Sequence, residues 1–210
     1  MSQFPAPAVF VINLDERKDK WLAIQKMCRQ CGINPERISA VKRKPGWHGC
    51  GLSHVKCATL AKERNLPWVV VLEDDCMFSI EQWNHFKSLL PFLWENSNKW
   101  NYFNGGPTFP HNIELFDKEH KLVKTNSLTT HFIFYTKDAY NKIMEWKPEG
   151  AENENACDSW FSRIFKPLSV YPAIAIQTPS FSDLHNKDED YTNYFNQSND
   201  SINEFLSTIT

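Results

Sequence analysis

Glycine is scarce in this sequence, with only seven among 210 residues. Phosphate-binding loops of the P-loop and dinucleotide-binding kinds need several glycines at fixed spacing, because their backbone approaches the phosphates closely. None of the seven falls into the G-x-G-x-x-G or the G-x-x-x-x-G-K-[ST] pattern. Both kinds of loop are therefore excluded, and any phosphate that this chain binds must be neutralised in another way.

Long apolar runs and basic blocks are also missing. No run approaches the roughly 20 apolar residues that span a bilayer, and residues 1–15 lack the charged start and apolar core of a signal peptide. The formal net charge is −2, and the longest basic run is Lys42-Arg43-Lys44, which argues against nucleic acid as a partner. We therefore expect a cytoplasmic protein without an integral membrane segment.

The six cysteines do not form a metal-binding pattern. Cys28 and Cys31 give one C-x-x-C, whereas a structural zinc site needs a second close pair or a matched pair of histidines. Cys50 with His48 or His54 is the alternative source of such ligands. Because a cytoplasmic location disfavours disulfides, we predict free thiols that pack as small apolar side chains.

Strand-like and helix-like segments alternate along the chain, which predicts an α/β fold in one domain. Apolar runs such as AVFVINL and WVVVL indicate strands covered on both faces, and apolar residues at helical spacing indicate helices. The predicted strands are Ala8–Leu14, Arg37–Val41, Trp68–Leu72, Asn101–Asn104, Ile113–Phe116, Lys121–Lys124, Ser127–Tyr135, Ser169–Tyr171 and Ile174–Gln177. The predicted helices are Asp15–Cys31, Gly49–Arg64, Ile80–Trp94 (broken or kinked at Pro91), Lys137–Trp146 and Ala156–Phe165.

The composition changes near the end of the chain. From Asn186 onward it is rich in Asn, Asp and Ser, and only Ile202–Ile209 is weakly amphipathic. We predict one domain over residues 1–185 and a polar C-terminal segment over residues 186–210 that packs on this domain or trails from it.

Three consecutive acids, Glu73-Asp74-Asp75, follow the apolar run WVVVL. Ligands of open α/β sheets bind outside the carboxyl ends of strands, and adjacent acids repel one another unless a cation lies among them. Because side chains alternate along a strand, Glu73 and Asp75 share a face and can converge on Mg²⁺ or Mn²⁺, cations that suit oxygen ligands. The alternatives are a solvated turn and a helix N-cap.

Two later segments add candidates for the same site. Asp183 and His185, in SFSDLH, follow the last predicted strand and can return to the same edge of the sheet, with His185 as a third metal ligand. Asp158 opens a predicted helix, where it is either an N-cap or a general base at the mouth of the site.

Three segments together resemble glycosyltransferase family 25 in order and spacing. They are VFVINLDERKDKW at residues 9–21, GCGLSH at 49–54 and LPWVVVLEDD at 66–75. Later segments agree with the family too: residues 129–135 with the helix that follows, CDS at 157–159 and QTPSFSD at 177–183. The family includes lipopolysaccharide-biosynthesis transferases and procollagen galactosyltransferases. Gly51 stands where Ala is more usual in it.

The resemblance implies a GT-A (Rossmann-like) nucleotide-diphospho-sugar transferase fold, with a mixed central sheet flanked by helices. It implies transfer of a hexose from a nucleotide-diphosphate sugar, expected to be a UDP-sugar, to a hydroxyl of a glycan or glycoprotein, with inversion. The acceptor is expected to be a bacterial surface polysaccharide or a viral structural glycoprotein. The location is then a bacterial cytoplasm, or a host cytoplasm for a viral protein.

The resemblance also implies roles around a Mn²⁺ or Mg²⁺ ion. Glu73-Asp74-Asp75 would replace the D-x-D motif, with Asp75, Glu73 and His185 at the metal and Glu73 and Asp74 near the nucleotide. Residues that would line the nucleotide pocket are Asn13, Leu14 and Arg17. Ser53 and His54 would contact the donor or brace the strand that carries the acids.

An acceptor hydroxyl must lose a proton as it attacks the sugar. Asp158 is the first candidate for the base that takes this proton, and Asp183 is the second. Trp47 and Trp160 lie near the candidate residues in sequence and are predicted to stack on a sugar or acceptor.

Two other classes of function stay open. A metal-dependent phosphoesterase or nucleotidyltransferase also clusters acids at strand ends, but its two-metal versions need further bridging carboxylates. A non-catalytic nucleotide-sugar-binding module would share the fold and lack turnover.

Overall fold

The computed structural model describes residues 4–183 and 186–209. Its strands are β1 (Ala8–Asn13), β2 (Glu36–Ser39), β3 (Trp68–Glu73), β4 (Cys76–Met77), β5 (Tyr102–Asn104), β6 (Thr108–Asp117), β7 (Leu122–Leu128), β8 (Phe132–Thr136), β9 (Leu168–Val170), β10 (Ile176–Gln177), β11 (Ser180–Ser182) and β12 (Lys187–Glu189). Its helices are α1 (Lys18–Gln30), α2 (Gly46–Glu63), α3 (Ile80–Glu95), α4 (Lys137–Met144), α5 (Glu152–Asn155), α6 (Cys157–Phe165) and α7 (Thr192–Thr208).

Eight strands form one mixed sheet in the order β2-β1-β3-β8-β5-β9-β7-β6. β1 pairs in parallel with both β2 and β3, whereas β8 runs antiparallel to β3 and β5. The carboxyl ends of the first three strands therefore lie at one edge of the sheet. Two small antiparallel pairs, β4 with β10 and β11 with β12, lie outside it.

Helices cover both faces of this sheet. Successive residues of a strand point to opposite faces, so neighbouring residues pack in different cores. Val70 of β3 packs in a core with residues of α1 and α3. Its neighbour Val71 packs in a second core with residues of α2, α4 and α6. The structure thus confirms the predicted α/β class, a mixed central sheet flanked by helices.

Several predicted boundaries are confirmed and have local causes. α1 ends just before Gly32, whose φ of 72° is a conformation that glycine adopts at little cost. Ser79 and Gln82 form a capping box at the start of α3. Of the two effects predicted for Pro91, a break is wrong, because α3 continues to Glu95; a kink stays a prediction. Pro91 is exposed, so water can bond the carbonyl that lacks an amide partner.

The predicted single strand Ser127–Tyr135 is also wrong. β7 ends at Leu128 and β8 begins at Phe132, and Thr129 between them has a φ of 74°. Its hydroxyl donates to the carbonyl oxygen of Gly106 at 2.7 Å. Contacts with distant residues therefore turn the chain where the local composition favours a continuous strand.

The C-terminal helix is longer than the weakly amphipathic stretch predicted from the sequence. α7 begins at Thr192, and its Phe195 and Ile202 are buried. The ring of Phe195 meets that of His131 edge to face, with 5.2 Å between centroids. The domain boundary at residue 185 stays a prediction.

The six cysteines are free thiols, as predicted. Among the described residues, no helix is both long enough and apolar enough to cross a membrane.

Candidate active site

The three acids separate at the end of β3. Glu73 and Asp75 line a cavity of about 270 Å³, and Asp74 does not. Instead, Asp74 accepts a hydrogen bond from Asn13 Nδ2 at 2.6 Å, and Lys20 Nζ lies 3.8 Å from its other oxygen. Asp74 and Asp75 lie in the turn between β3 and β4. The first and third acids face the cavity, as the sequence predicted, but this turn and not the alternation of a strand places them there.

The cavity is built from segments that are far apart in the sequence. Its walls come from the starts of α2, β6, α5 and α6 and from the turn between β7 and β8. Residues of β10, β11 and β12, with Thr178 and Tyr191, complete them. Thr130, which the sequence analysis did not identify, donates its hydroxyl to Glu73 Oε1 at 2.6 Å. No local pattern marks Thr130, because only the turn after β7 brings it to this wall.

Asp75 is an acid of the cavity wall with a strongly raised pKa. Burial, and then repulsion by Glu73, raises its pKa to about 7. Its Oδ1 is buried and has no hydrogen-bond partner among the described residues, whereas Gln177 Nε2 donates to Oδ2 at 3.5 Å. A buried acceptor without a partner is unfavourable, so this oxygen suits a bound cation.

Glu73 has more partners than Asp75. Its Oε1 lies 3.1 Å from His54 Nε2. Burial alone would raise the pKa of Glu73, but the hydrogen bond and attraction from His54, with the bond from Thr130, hold this pKa below its usual value. Burial likewise opposes ionisation of His54, yet its bonds to Cys50 and Glu73 raise its pKa to about 9. Glu73 is therefore an anion at neutral pH.

Ser53 and His54 brace the site from behind and do not line the cavity. Ser53 Oγ donates to the carbonyl oxygen of Gly49 at 2.7 Å and accepts from Val41 N at 2.8 Å. His54 is almost completely buried and holds Glu73. The contact of His54 with Glu73 is that of a brace for the strand that carries the acids, whereas the bonds of Ser53 lie outside that strand.

The residues predicted to line the nucleotide pocket lie at the end of β1, outside the main cavity. Asn13 is buried. Its Nδ2 donates hydrogen bonds to Asp74 and to the carbonyl oxygen of Arg17, and its Oδ1 accepts one from Arg37 Nε. Arg17 forms ion pairs with Asp19 and Asp183. Asn13 lines a second cavity of about 330 Å³. Leu14 and Arg17 line neither this cavity nor the main one.

The two candidate bases have different surroundings. Asp158, in the first turn of α6, lines the cavity. It accepts hydrogen bonds from Thr129 N at 3.2 Å and Ser159 N at 2.7 Å. Burial outweighs these bonds and raises its pKa. Asp183 is exposed, pairs with Arg17 and does not line the cavity. His185 lies outside the described residues.

The two tryptophans predicted to stack on a sugar or acceptor expose little surface to the cavity. Trp47 reaches the cavity but is only 5% exposed, because Trp146 packs against it edge to face at 6.2 Å. Trp160 is half-buried beside Phe161 and does not line the cavity. Tyr191 is an aromatic residue of the cavity wall that the sequence analysis did not identify.

Comparison with known proteins supports one family. Residues 45–145, just under half of the chain, match the model of glycosyltransferase family 25 (LPS biosynthesis protein). The matched stretch contains α2, β3 and the three acids, and it confirms the resemblance predicted from the sequence. No curated protein matches the chain.

Two solved structures are similar at 13% identity each. One is a glycosyltransferase involved in the glycosylation of the major capsid of PBCV-1, with a TM-score of 0.44 over 79% of this chain and 81% of that chain. The other is a putative glucose-1-phosphate thymidylyltransferase from Bacillus anthracis in complex with a sucrose, with a TM-score of 0.40 over 92% of this chain and 75% of that chain.

Proposed function

We propose that this chain, a glycosyltransferase by its family match, moves a hexose from a nucleotide-diphosphate sugar to a hydroxyl of a glycan or glycoprotein with the help of a divalent cation. The observation that carries the proposal is Asp75, a half-buried residue in the wall of the cavity and beside the anionic Glu73. Its Oδ1 is buried and has no hydrogen-bond partner in the described part of the chain. A UDP-sugar donor and inversion at the anomeric carbon complete the proposal by family resemblance.

Asp75 and Glu73 would hold Mn²⁺ or Mg²⁺, and the residues present fit such an ion because carboxylate oxygens are its preferred ligands. When bound, the ion neutralises charge on the departing nucleoside diphosphate. The sequence lacks a glycine-rich phosphate loop, so a backbone cradle of that kind does not perform this task. Asp74 would act indirectly, by fixing the end of β1 to the turn that carries Asp75.

Asp158 would take the proton of the acceptor hydroxyl. Its bonds to two backbone amides hold the carboxylate in place, and its raised pKa makes it a better proton acceptor than a solvated aspartate. Asp183 is the second candidate. The acceptor would be a bacterial surface polysaccharide or a viral structural glycoprotein, and the location would be cytoplasmic.

Donor binding tests the proposal directly. The protein is titrated with a panel of nucleotide sugars in the presence of Mn²⁺ or EDTA, and binding is measured by calorimetry. We expect Mn²⁺-dependent binding of at least one UDP-sugar, lost in Asp75→Asn and retained in Asp200→Asn, which alters an exposed aspartate on α7. Absence of metal-dependent binding across the whole panel would refute the proposal.

The base is tested by comparing Asp158→Asn with Asp183→Asn in a transfer or donor-hydrolysis assay. We expect Asp158→Asn to slow turnover by about 10²- to 10⁴-fold, the usual contribution of a general base, without weakening donor binding. Wild-type turnover in Asp158→Asn would contradict the assignment. Release of sugar 1-phosphate in place of nucleoside diphosphate would identify a phosphoesterase or nucleotidyltransferase instead.

A further inference from the structure

Glu73 also contacts a thiol and an imidazole to which the proposed transfer reaction gives no chemical role. Cys50 and His54 are four residues apart on α2, so they lie on the same face of the helix, and this face meets the end of β3. Cys50 Sγ, His54 Nε2 and Glu73 Oε1 all lie within 4.8 Å of one another. A second thiol, Cys157 Sγ at the start of α6, is 3.6 Å from Cys50 Sγ.

Three separations within this cluster are close to those of ligands around one tetrahedral cation. Zinc lies about 2.3 Å from thiolate sulfur and about 2.0–2.2 Å from imidazole nitrogen and carboxylate oxygen, which places its ligand atoms about 3.3–3.8 Å apart. His54 Nε2 and Glu73 Oε1 are 3.1 Å apart, Cys50 Sγ and Glu73 Oε1 are 3.9 Å apart, and the two sulfurs are 3.6 Å apart. Little movement is needed to close them on an ion.

We propose that Cys50, His54 and Glu73 form a binding site for a thiolate-preferring divalent cation such as Zn²⁺, with Cys157 or a water molecule as the fourth ligand. Thiolate and imidazole ligands favour Zn²⁺ over Mg²⁺ and Mn²⁺, so this site differs in chemistry from the oxygen site at Asp75. A carboxylate has two oxygens, so Glu73 can serve both sites. Binding deprotonates the Cys50 thiol and the imidazole of His54, and these protons pass to the buffer.

The site is accessible from the cavity. Cys50, Glu73 and Cys157 all line it, so an ion can enter without unfolding of α2. His54 lies behind them and is held by the packing of its ring against Phe161, edge to face at 6.1 Å. Three of the four candidate ligands thus reach the cavity, and the fourth is fixed by the core.

Cobalt and zinc binding to the full chain, kept reduced with a phosphine, tests this inference. We expect one equivalent of Co²⁺ to produce a thiolate-to-cobalt charge-transfer band that Zn²⁺ abolishes. Cys50→Ala should weaken binding by at least about tenfold, the smallest loss usual for altered metal sites. The matched control Cys57→Ala, on the same helix but outside the cluster, should bind like the wild type. Unchanged affinity for Co²⁺ in Cys50→Ala would overturn the inference.

Alkylation of the wild-type protein gives a test that does not depend on a variant folding. Zn²⁺ should protect Cys50 from iodoacetamide, as mapped by peptide mass spectrometry, and should leave the half-buried Cys31 unprotected. Protection of Cys28 and Cys31 alone, or of no cysteine, would refute the site. Because Mn²⁺-dependent donor binding is measured separately, failure of the proposed transferase function would not be confused with failure of this site.

Discussion

Replacing Asp75 by asparagine should make the metal-free protein more stable. Burial and the nearby Glu73 raise the pKa of Asp75 from 3.8 to about 7. An acid whose pKa is raised by folding favours the unfolded state once the pH exceeds its unfolded pKa. The cost therefore begins near pH 4, grows up to about pH 7 and is constant above it. Asparagine has a similar shape and does not ionise, so it removes this cost.

The size of the effect follows from the pKa shift. One pKa unit corresponds to about 1.4 kcal/mol, so a shift of about three units costs up to about 4 kcal/mol above pH 7. Water in the cavity and relaxation of the site reduce this, and we expect Asp75→Asn to raise the free energy of unfolding by roughly 2–4 kcal/mol at pH 8. For a chain of this length, the melting temperature should rise by roughly 5–15 °C.

Urea unfolding at pH 4 and pH 8, in EDTA and in Mn²⁺, measures this prediction. In EDTA, Asp75→Asn should be more stable than the wild type at pH 8 and equal to it at pH 4. Mn²⁺ at about 100 times its dissociation constant should stabilise the wild type by about 2.7 kcal/mol and the variant by much less. Asp200→Asn is the control for loss of one charge. Equal stability of wild type and Asp75→Asn at pH 8 would refute the reasoning.

Two further predictions concern stability. Gly51→Ala should cost roughly 1–3 kcal/mol in urea unfolding, because its methyl group would overlap the buried indole of Trp146; unchanged stability would show that the ring can move. Folding raises the pKa of His54 to about 9, so the protonated imidazole stabilises the folded state. This stabilisation is lost as the imidazole deprotonates, and the free energy of unfolding of the wild type should fall by roughly 2–3 kcal/mol between pH 6.5 and pH 9. His54→Gln should show no such fall, and a fall of equal size in the variant would contradict this account.

Features set by local pattern were predictable from the sequence. The run WVVVL forms a central strand that ends at Glu73. The turn that follows leaves Glu73 and Asp75 at the cavity and Asp74 apart, which is the arrangement expected from the sequence. The structure also explains why this chain has glycine at position 51, where the family more usually has alanine. Trp146 occupies the space that the methyl group would fill.

Features set by contacts between distant segments were not predictable. The turn after β7 forms because Thr129 bonds to Gly106 and Asp158, although its own sequence resembles a strand. Arg17 and Asp183 were both expected at the site. They pair with each other across the fold, and neither lines the cavity. Trp47 was predicted to be a ligand platform, but its burial depends on Trp146, which no pattern near residue 47 reveals.

The small pair β4–β10 has a consequence for how the site is assembled. β4 begins directly after Asp75, and β10 reaches it from a hundred residues later, where Thr178 N donates to the carbonyl oxygen of Asp75 at 2.8 Å. Such a contact forms only after a long loop has closed. The acids belong to the early part of the chain, yet their cavity is complete only when the last third has been synthesised and has docked. A fragment limited to residues 45–145 would carry the acids and lack the opposite wall.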